Sequence, residues 1–227
     1  MKISSVDVRQ FKQRYSDENE LIAGIIHERL YDKFEELIVD VGAGMGDITS
    51  RALAAKRVVQ LDILDYRESA LIDLHCRVVT DFFDYTPTNG QKIGTLFFSH
   101  VLQFLDQSVD RLNDKIQTLC PGRIITVTNL NDGFMGEVIQ WTNSNVQNAN
   151  PEIHLADFPR GYDLEDEIHF KGHVRCPSFS VLGKQVSYLV DSQPSTRETI
   201  ALQHFLQANL ASPEFAINQT VKVHKKT

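Results

Sequence analysis

The chain has 227 residues, of which 42% are hydrophobic, enough to bury one substantial core and too few for two ordinary domains with a linker. Thirty acidic against 23 basic residues leave a formal charge of −7, and no basic block is longer than Lys225-Lys226, which disfavours a polyanion as main partner. Cys76, Cys120 and Cys176 are scattered without CxxC spacing, and no apolar run approaches the length of a membrane span or a leader. These features predict a cytoplasmic protein with reduced thiols.

Asp17 and Glu20 have capping-box spacing, and Leu21, Ile22, Ile25, Ile26, Leu30 and Phe34 fall on one helical face. An amphipathic helix therefore leads into the first strand. Apolar runs follow at 36–41 (ELIVDV), 57–62 (RVVQLD), 76–81 (CRVVTD), 93–99 (IGTLFFS) and 123–128 (RIITVT), separated by segments long enough for helices. Near-continuous apolar runs predict strands buried on both faces, hence an α/β fold with a doubly wound, mostly parallel seven-stranded sheet and helices on both faces.

After Thr128 a helix is expected at 133–147, then a polar, acidic stretch at 148–166 containing Pro151, Pro159 and Gly161, which has the composition of a mobile lid. Residues 167–175 (EIHFKGHVR) and 217–226 (INQTVKVHKK) alternate like strands, with two helical segments between them, and are expected to pair antiparallel at the C-terminal edge of the sheet. The predicted organisation is one domain: an N-terminal helical cap at 1–35, a cofactor-binding core at 36–129 and an acceptor-side half at 130–227.

The stretch LIVDVGAGMGDITS places Gly42, Gly44 and Gly46 directly after a strand, which demands a sharp turn and a close approach to the backbone. Asp62 follows Asp40 by 22 positions at the end of the next strand, and Asp81 ends the third, with Phe82 and Phe83 after it. In a doubly wound sheet the carboxyl ends of successive strands share one cleft, so the loop and the acids converge there. An acid in that place accepts ribose hydroxyls, and Asp81 beside two aromatic rings offers an acceptor and a wall for a purine.

Residues 36–129, through IVDVGAGMGD, QLD, TDFFD, FFSHVLQFLD and CPGRIITVT, resemble the class I S-adenosylmethionine-dependent methyltransferases. The resemblance implies that Gly42, Ala43, Gly44 and Gly46 approach the methionine part of the cofactor and that Asp40 faces its ammonium group. It also implies that Asp62 holds the ribose and that Asp81 with the Phe82 amide reads the adenine. Ile63 and Ser99 complete the implied cofactor set; Tyr15, just ahead of the first helix, is a candidate either to close over the cofactor or for plain core or surface packing. A nicotinamide dinucleotide is disfavoured because Asp47 stands where G-x-G-x-x-G needs its third glycine, and the phosphate-loop pattern is absent.

Methyl transfer from a sulfonium is an in-line displacement that depends chiefly on positioning, so the cofactor half is easier to read than the catalytic half. His100, just past the fourth strand, is the candidate general base, with capping or packing as its alternative role. Trp141 is a candidate for the acceptor pocket or for plain helix packing. His169, His173 and Cys176 do not make a metal site, since four residues of strand separate the histidines by about 13 Å. The acids Asp157, Asp163, Glu165, Asp166 and Glu167 either guide a cationic acceptor or form a solvated face.

FKQRYSDENELIAGII also resembles the start of the rRNA adenine dimethyltransferases, but FSHV replaces their N-[LI]-P-[YF] motif and their basic appended domain is missing. The expected function is methyl transfer to an N or O atom of a small-molecule acceptor. Nucleic-acid or protein methylation, a non-catalytic cofactor-binding module and an oxidoreductase remain as alternatives.

Overall fold

The computed structural model describes residues 14–63, 75–102, 105, 108–146, 158–189 and 195–227. In chain order the elements are α1 (Glu18–Ile25), β1 (Ile38–Val41), α2 (Asp47–Ala52), β2 (Val58–Asp62), β3 (Cys76–Val79), β4 (Thr95–Ser99), α3 (Val109–Leu119), β5 (Arg123–Asn129), α4 (Gly133–Asn145), β6 (Tyr162–Arg175), α5 (Phe179–Leu189), α6 (Thr196–Asn209) and β7 (Glu214–Lys226). The strands form one seven-stranded sheet in the order β3-β2-β1-β4-β5-β7-β6. Every neighbouring pair among the first five is parallel.

β7 runs antiparallel to β5. Lys226 N–H donates to Gly122 O at 3.0 Å and Leu130 N–H to Asn218 O at 2.8 Å, so rising numbers on one strand meet falling numbers on the other. β6 lies beside β7 at the edge of the sheet, where the two C-terminal strands are expected. Both of these strands are longer than the sequence pattern indicates. β6 begins at Tyr162, so the last five residues of the expected lid are strand, while 148–157, Asp157 included, lie outside the described residues.

The helix expected across 21–34 is not uniform. α1 gives way to a π-turn at Ile26–Leu30 and a 3-10 turn at Tyr31–Lys33. Ile22, Ile26, Leu30 and Phe34, at a spacing of four, are all at most 1% exposed. On a regular α-helix a spacing of four drifts by about 40° per step; the wider π-turn rotates less per residue and returns the stripe to the core. Leu21, expected on that face, is 36% exposed because it lies one position off the stripe. Asp17 does not act as a capping-box residue with Glu20. Its carboxylate accepts the His173 N–H at 2.7 Å, and Glu20 pairs with Arg51.

Contacts divide the chain into two compact units: Met1–Asn19, Asn129–Pro151 and Phe170–Gln219 in one, and Glu20–Thr128, Glu152–His169 and Thr220–Thr227 in the other. The first unit packs α4, α5 and α6 residues such as Met135, Val138, Leu182, Val186 and Leu206 against Phe215 and Ile217 of β7. The second has a core of Val39, Leu61, Phe82, Leu96, Phe98, Ile116 and Ile124 beneath the glycine loop. Its four parallel interior strands bury β-branched and aromatic side chains on both sides, as the apolar runs require. Among the described residues no helix is long and apolar enough to cross a membrane.

Charged residues of the second unit fasten β6 to the rest of it. Glu165 accepts from Lys33 Nζ and Arg123 Nε, each at 2.8 Å, and Arg123 also pairs with Glu35. The hydrogen bonds from Arg123 and Lys33 hold the Glu165 carboxyl at a pKa of about 2, below its ordinary 4.5. A depressed carboxyl stabilises the fold fully above its unfolded value and loses that contribution as pH falls towards the folded one. Each partly exposed pair contributes on the order of 0.2–1 kcal/mol. Glu165→Gln is therefore expected to lower the thermal midpoint by roughly 2–6 °C at pH 7. Scanning calorimetry should show the gap from wild type narrowing progressively below pH 4.5.

Candidate functional site

Parallel register assembles the site. Val41 pairs with Leu61 on one side and Phe98 on the other, and Asp62 pairs with Val79. The next positions, Gly42 and Ser99, therefore stand level with Asp62 along the carboxyl edge of the sheet. At one strand spacing per step, Asp62 and Ser99 flank Gly42 across about 10 Å.

From Gly42 the chain turns over this edge. Gly42, Gly44 and Gly46 have φ of 68°, 63° and 75°, the left-handed region that costs a residue with a side chain about 1–2 kcal/mol. A Cβ on Gly42 would overlap the Val101 side chain, and one on Gly46 would overlap the amide of Gln60. The first two loop amides are tied to the sheet, since Gly42 N–H and Ala43 N–H both donate to Leu61 O, at 2.8 and 3.1 Å.

The two backbone polar groups of Gly44 are gripped from two strands. Gly44 N–H donates to Asp62 Oδ2 at 2.9 Å, and Arg77 of β3 donates to Gly44 O at 2.8 Å and to Met45 O at 2.5 Å. Below the loop, Gln60 Nε2 donates to Thr49 Oγ1 at 3.1 Å and Ser50 Oγ at 3.3 Å, while Thr49 Oγ1 donates to Asp40 Oδ2 at 2.7 Å. Asp40 is 4% exposed and its carboxylate is held by the start of α2. Arg77 and Gln60 are the residues that motif spacing does not reveal. Each is an ordinary polar position inside an apolar strand pattern, and only the strand order brings them under the loop.

The remaining sequence-derived positions divide. Ile63, 66% exposed, and Val79, 48% exposed, present apolar surface beside Asp62 at the ends of β2 and β3. The Ser99 hydroxyl is buried with no hydrogen-bond partner among the described residues. His100 is 8% exposed, has a left-handed φ of 51°, and donates its backbone N–H to Val127 O at 3.0 Å. Asp81 caps its own turn, accepting Phe83 N–H at 2.8 Å.

The Phe82 ring is not a purine wall. It is 3% exposed and packs edge-on to Phe98 at 5.5 Å, because its apolar surface is worth more in the core of the unit. Phe83 lies under Arg111, whose guanidinium sits 4.6 Å from the ring centroid. Tyr15 and Trp141 belong to the other unit, where Trp141 stacks on Phe205 at 5.5 Å in a helix-packing role. Among the described residues no group of His, Cys, Asp and Glu is arranged to hold a metal ion.

No protein-family model matches the chain, and no curated protein matches it by sequence. Solved structures do. A cyclopropane-fatty-acyl-phospholipid synthase-like protein from Lactobacillus casei superposes with a TM-score of 0.58 at 14% identity, covering 96% of this chain and 92% of its own. Geranyl diphosphate methyltransferase, solved with S-adenosylmethionine, gives 0.52 at 13%, covering 100% and 93%. The N-methyltransferase NodS from Bradyrhizobium japonicum, solved with S-adenosyl-L-homocysteine, gives 0.51 at 7%, covering 92% and 87%. The chain thus has the Rossmann-like fold of the class I methyltransferases.

Because Gly46 combines a left-handed backbone with contact against the buried Gln60 amide, Gly46→Ala has to strain φ and displace the group that holds Thr49 and Ser50. Urea denaturation should show a loss of about 2–3 kcal/mol with an unchanged m-value. By contrast Gly90→Ala, at φ 67° with open space around it, should lose only the backbone contribution of about 1 kcal/mol.

Proposed function

We propose that the chain is a methyltransferase that uses S-adenosylmethionine and passes its methyl group to an N or O atom of a small-molecule acceptor. The observation that carries this is the row at the carboxyl edge of the sheet, where a left-handed glycine loop is flanked by Asp62 and by the Ser99 hydroxyl, which is unpaired among the described residues. The solved methyltransferases with the same fold, two of them holding this cofactor or its demethylated product, support the reading.

The residues fit the group. Asp62 is assigned to accept ribose hydroxyls, the exposed Ile63 and Val79 to face the adenine ring, and the buried Ser99 hydroxyl to give or take a hydrogen bond at the methionine end. Gly42, Ala43, Gly44 and Gly46 let backbone approach the ligand, with Asp40 behind them, and Asp81 and the Phe82 amide are assigned to the adenine edge. When bound, the cofactor supplies an electrophilic methyl group and loses its positive charge as that group leaves. The chain's own contribution is to hold the nucleophile in line and to exclude water, which calls for no acid–base pair.

His100 is assigned a shaping role at the cleft rather than that of a proton carrier. Its left-handed backbone is one that asparagine tolerates well, so His100→Asn removes the titratable ring without forcing the turn to move. Turnover of His100→Asn is expected to stay within about threefold of wild type. A loss of about 10²–10⁴ that shrinks as pH rises would instead assign His100 the general-base role.

Calorimetry is expected to show S-adenosyl-L-homocysteine binding with a Kd in the micromolar range, about −8 kcal/mol, and no binding of NAD. Asp62→Ala should weaken that binding by roughly 1–3 kcal/mol, since ligand donors lose their acceptor and the Gly44 amide loses its anchor. Asp62→Asn, which keeps an acceptor for Gly44, should fall between. NAD binding in place of the homocysteine compound would overturn the cofactor assignment.

A further inference from the structure

Away from the glycine loop, two nucleophilic side chains are brought together from positions 106 residues apart. Cys120 is the left-handed C-cap of α3, with φ 51° and its N–H bonded to Ile116 O at 2.7 Å. Lys226 ends β7, where its N–H is bonded to Gly122 O at 3.0 Å. Lys226 is thus anchored two residues from Cys120, and Lys226 Nζ meets Cys120 Sγ at 2.7 Å. Cys120 is half-buried and Lys226 exposed, so small oxidants reach the pair.

An N–H donor rests about 2.9 Å from an oxygen acceptor, and the larger radius of sulfur holds a donor farther out. A nitrogen 2.7 Å from sulfur is closer than such a contact settles and has the span of one bridging atom. We propose that Cys120 and Lys226 form a reversible covalent cross-link, Sγ–O–Nζ, with dioxygen as the oxidant.

The step balances with Lys226 reacting as the neutral amine. The Sγ–H bond, one Nζ–H bond and the O–O bond break, while Sγ–O and O–Nζ bonds form. The second oxygen atom leaves as water with the two hydrogens released, so sulfur and nitrogen are oxidised and dioxygen is reduced. Two equivalents of a dithiol reverse it, restoring thiol and amine and releasing the bridging oxygen as water. The link joins two residues of the second unit that are 106 positions apart, and so restricts the unfolded chain as a disulfide would.

Intact mass spectrometry of the full chain kept in air-saturated buffer tests this. The expected gain is about 14 Da, one oxygen added and two hydrogens lost, removed by dithiothreitol and mapping to a peptide pair joining residues 120 and 226. Cys120→Ser and Lys226→Arg should both abolish it, and the linked wild type should melt several degrees above its reduced form. The proposal is overturned by adducts of about 16 or 32 Da on Cys120 that form equally in Lys226→Arg, since those are sulfur acids needing no amine. It is also overturned by a cross-link lacking the oxygen, or by a Cys120 thiol that stays fully alkylatable after prolonged aeration.

Discussion

The backbone of Gly44, held by Asp62 at its N–H and by Arg77 at its carbonyl, is the constraint on which the site depends. Asp62 ends β2 and Arg77 lies on β3, so the grip exists only when the two strands pair parallel in the observed register, Gln60 opposite Arg77 and Asp62 opposite Val79. Shifting that register by one residue would turn Arg77 to the other face and release the loop. The loop is therefore not a free connection that a ligand orders. Its curvature is set beforehand by three left-handed glycines and by hydrogen bonds from the sheet beneath, which lowers the entropy lost on binding.

The same arrangement explains why polar groups crowd beneath an otherwise apolar sheet. Gln60, 3% exposed, and Thr49, 0% exposed, would each be costly if unpaired, and they satisfy one another together with Ser50 and Asp40. That buried network fixes the first turn of α2 against β1 and β2. Aromatic pairs on the two faces of the sheet, Phe82 on Phe98 and Phe34 on Phe97, supply apolar burial that offsets the cost of the polar layer.

The strands were legible because a strand covered on both faces needs a nearly unbroken apolar run, and IVDV, VVQLD, TLFFS and RIITVT have one. β6 was legible only in its second half. As an outer strand it alternates buried and exposed positions, and DLEDE at its start reads as solvated loop until Glu165 is seen paired with Lys33 and Arg123. The glycines and Asp62 were readable since backbone geometry and a strand-end acid leave a mark at fixed spacing. Arg77 left none, because its partners are carbonyl oxygens, which any sequence provides. Phe82 misled for the opposite reason: a ring beside an acid looks like a ligand wall, yet the core competes for it. The π-turn after Ile25 is visible only as a spacing of four held too long for a regular helix.

The most direct measurement of the central claim is the response of the backbone amides of Gly42, Gly44 and Gly46 to S-adenosyl-L-homocysteine, followed by NMR in wild type and in Arg77→Met. The account predicts saturable shifts at these amides in wild type. It further predicts faster hydrogen exchange at Gly44 and at least tenfold weaker binding in Arg77→Met, with the thermal midpoint nearly unchanged. Ligand binding that leaves all three amides unmoved, or an Arg77→Met protein that binds as tightly as wild type, would contradict it.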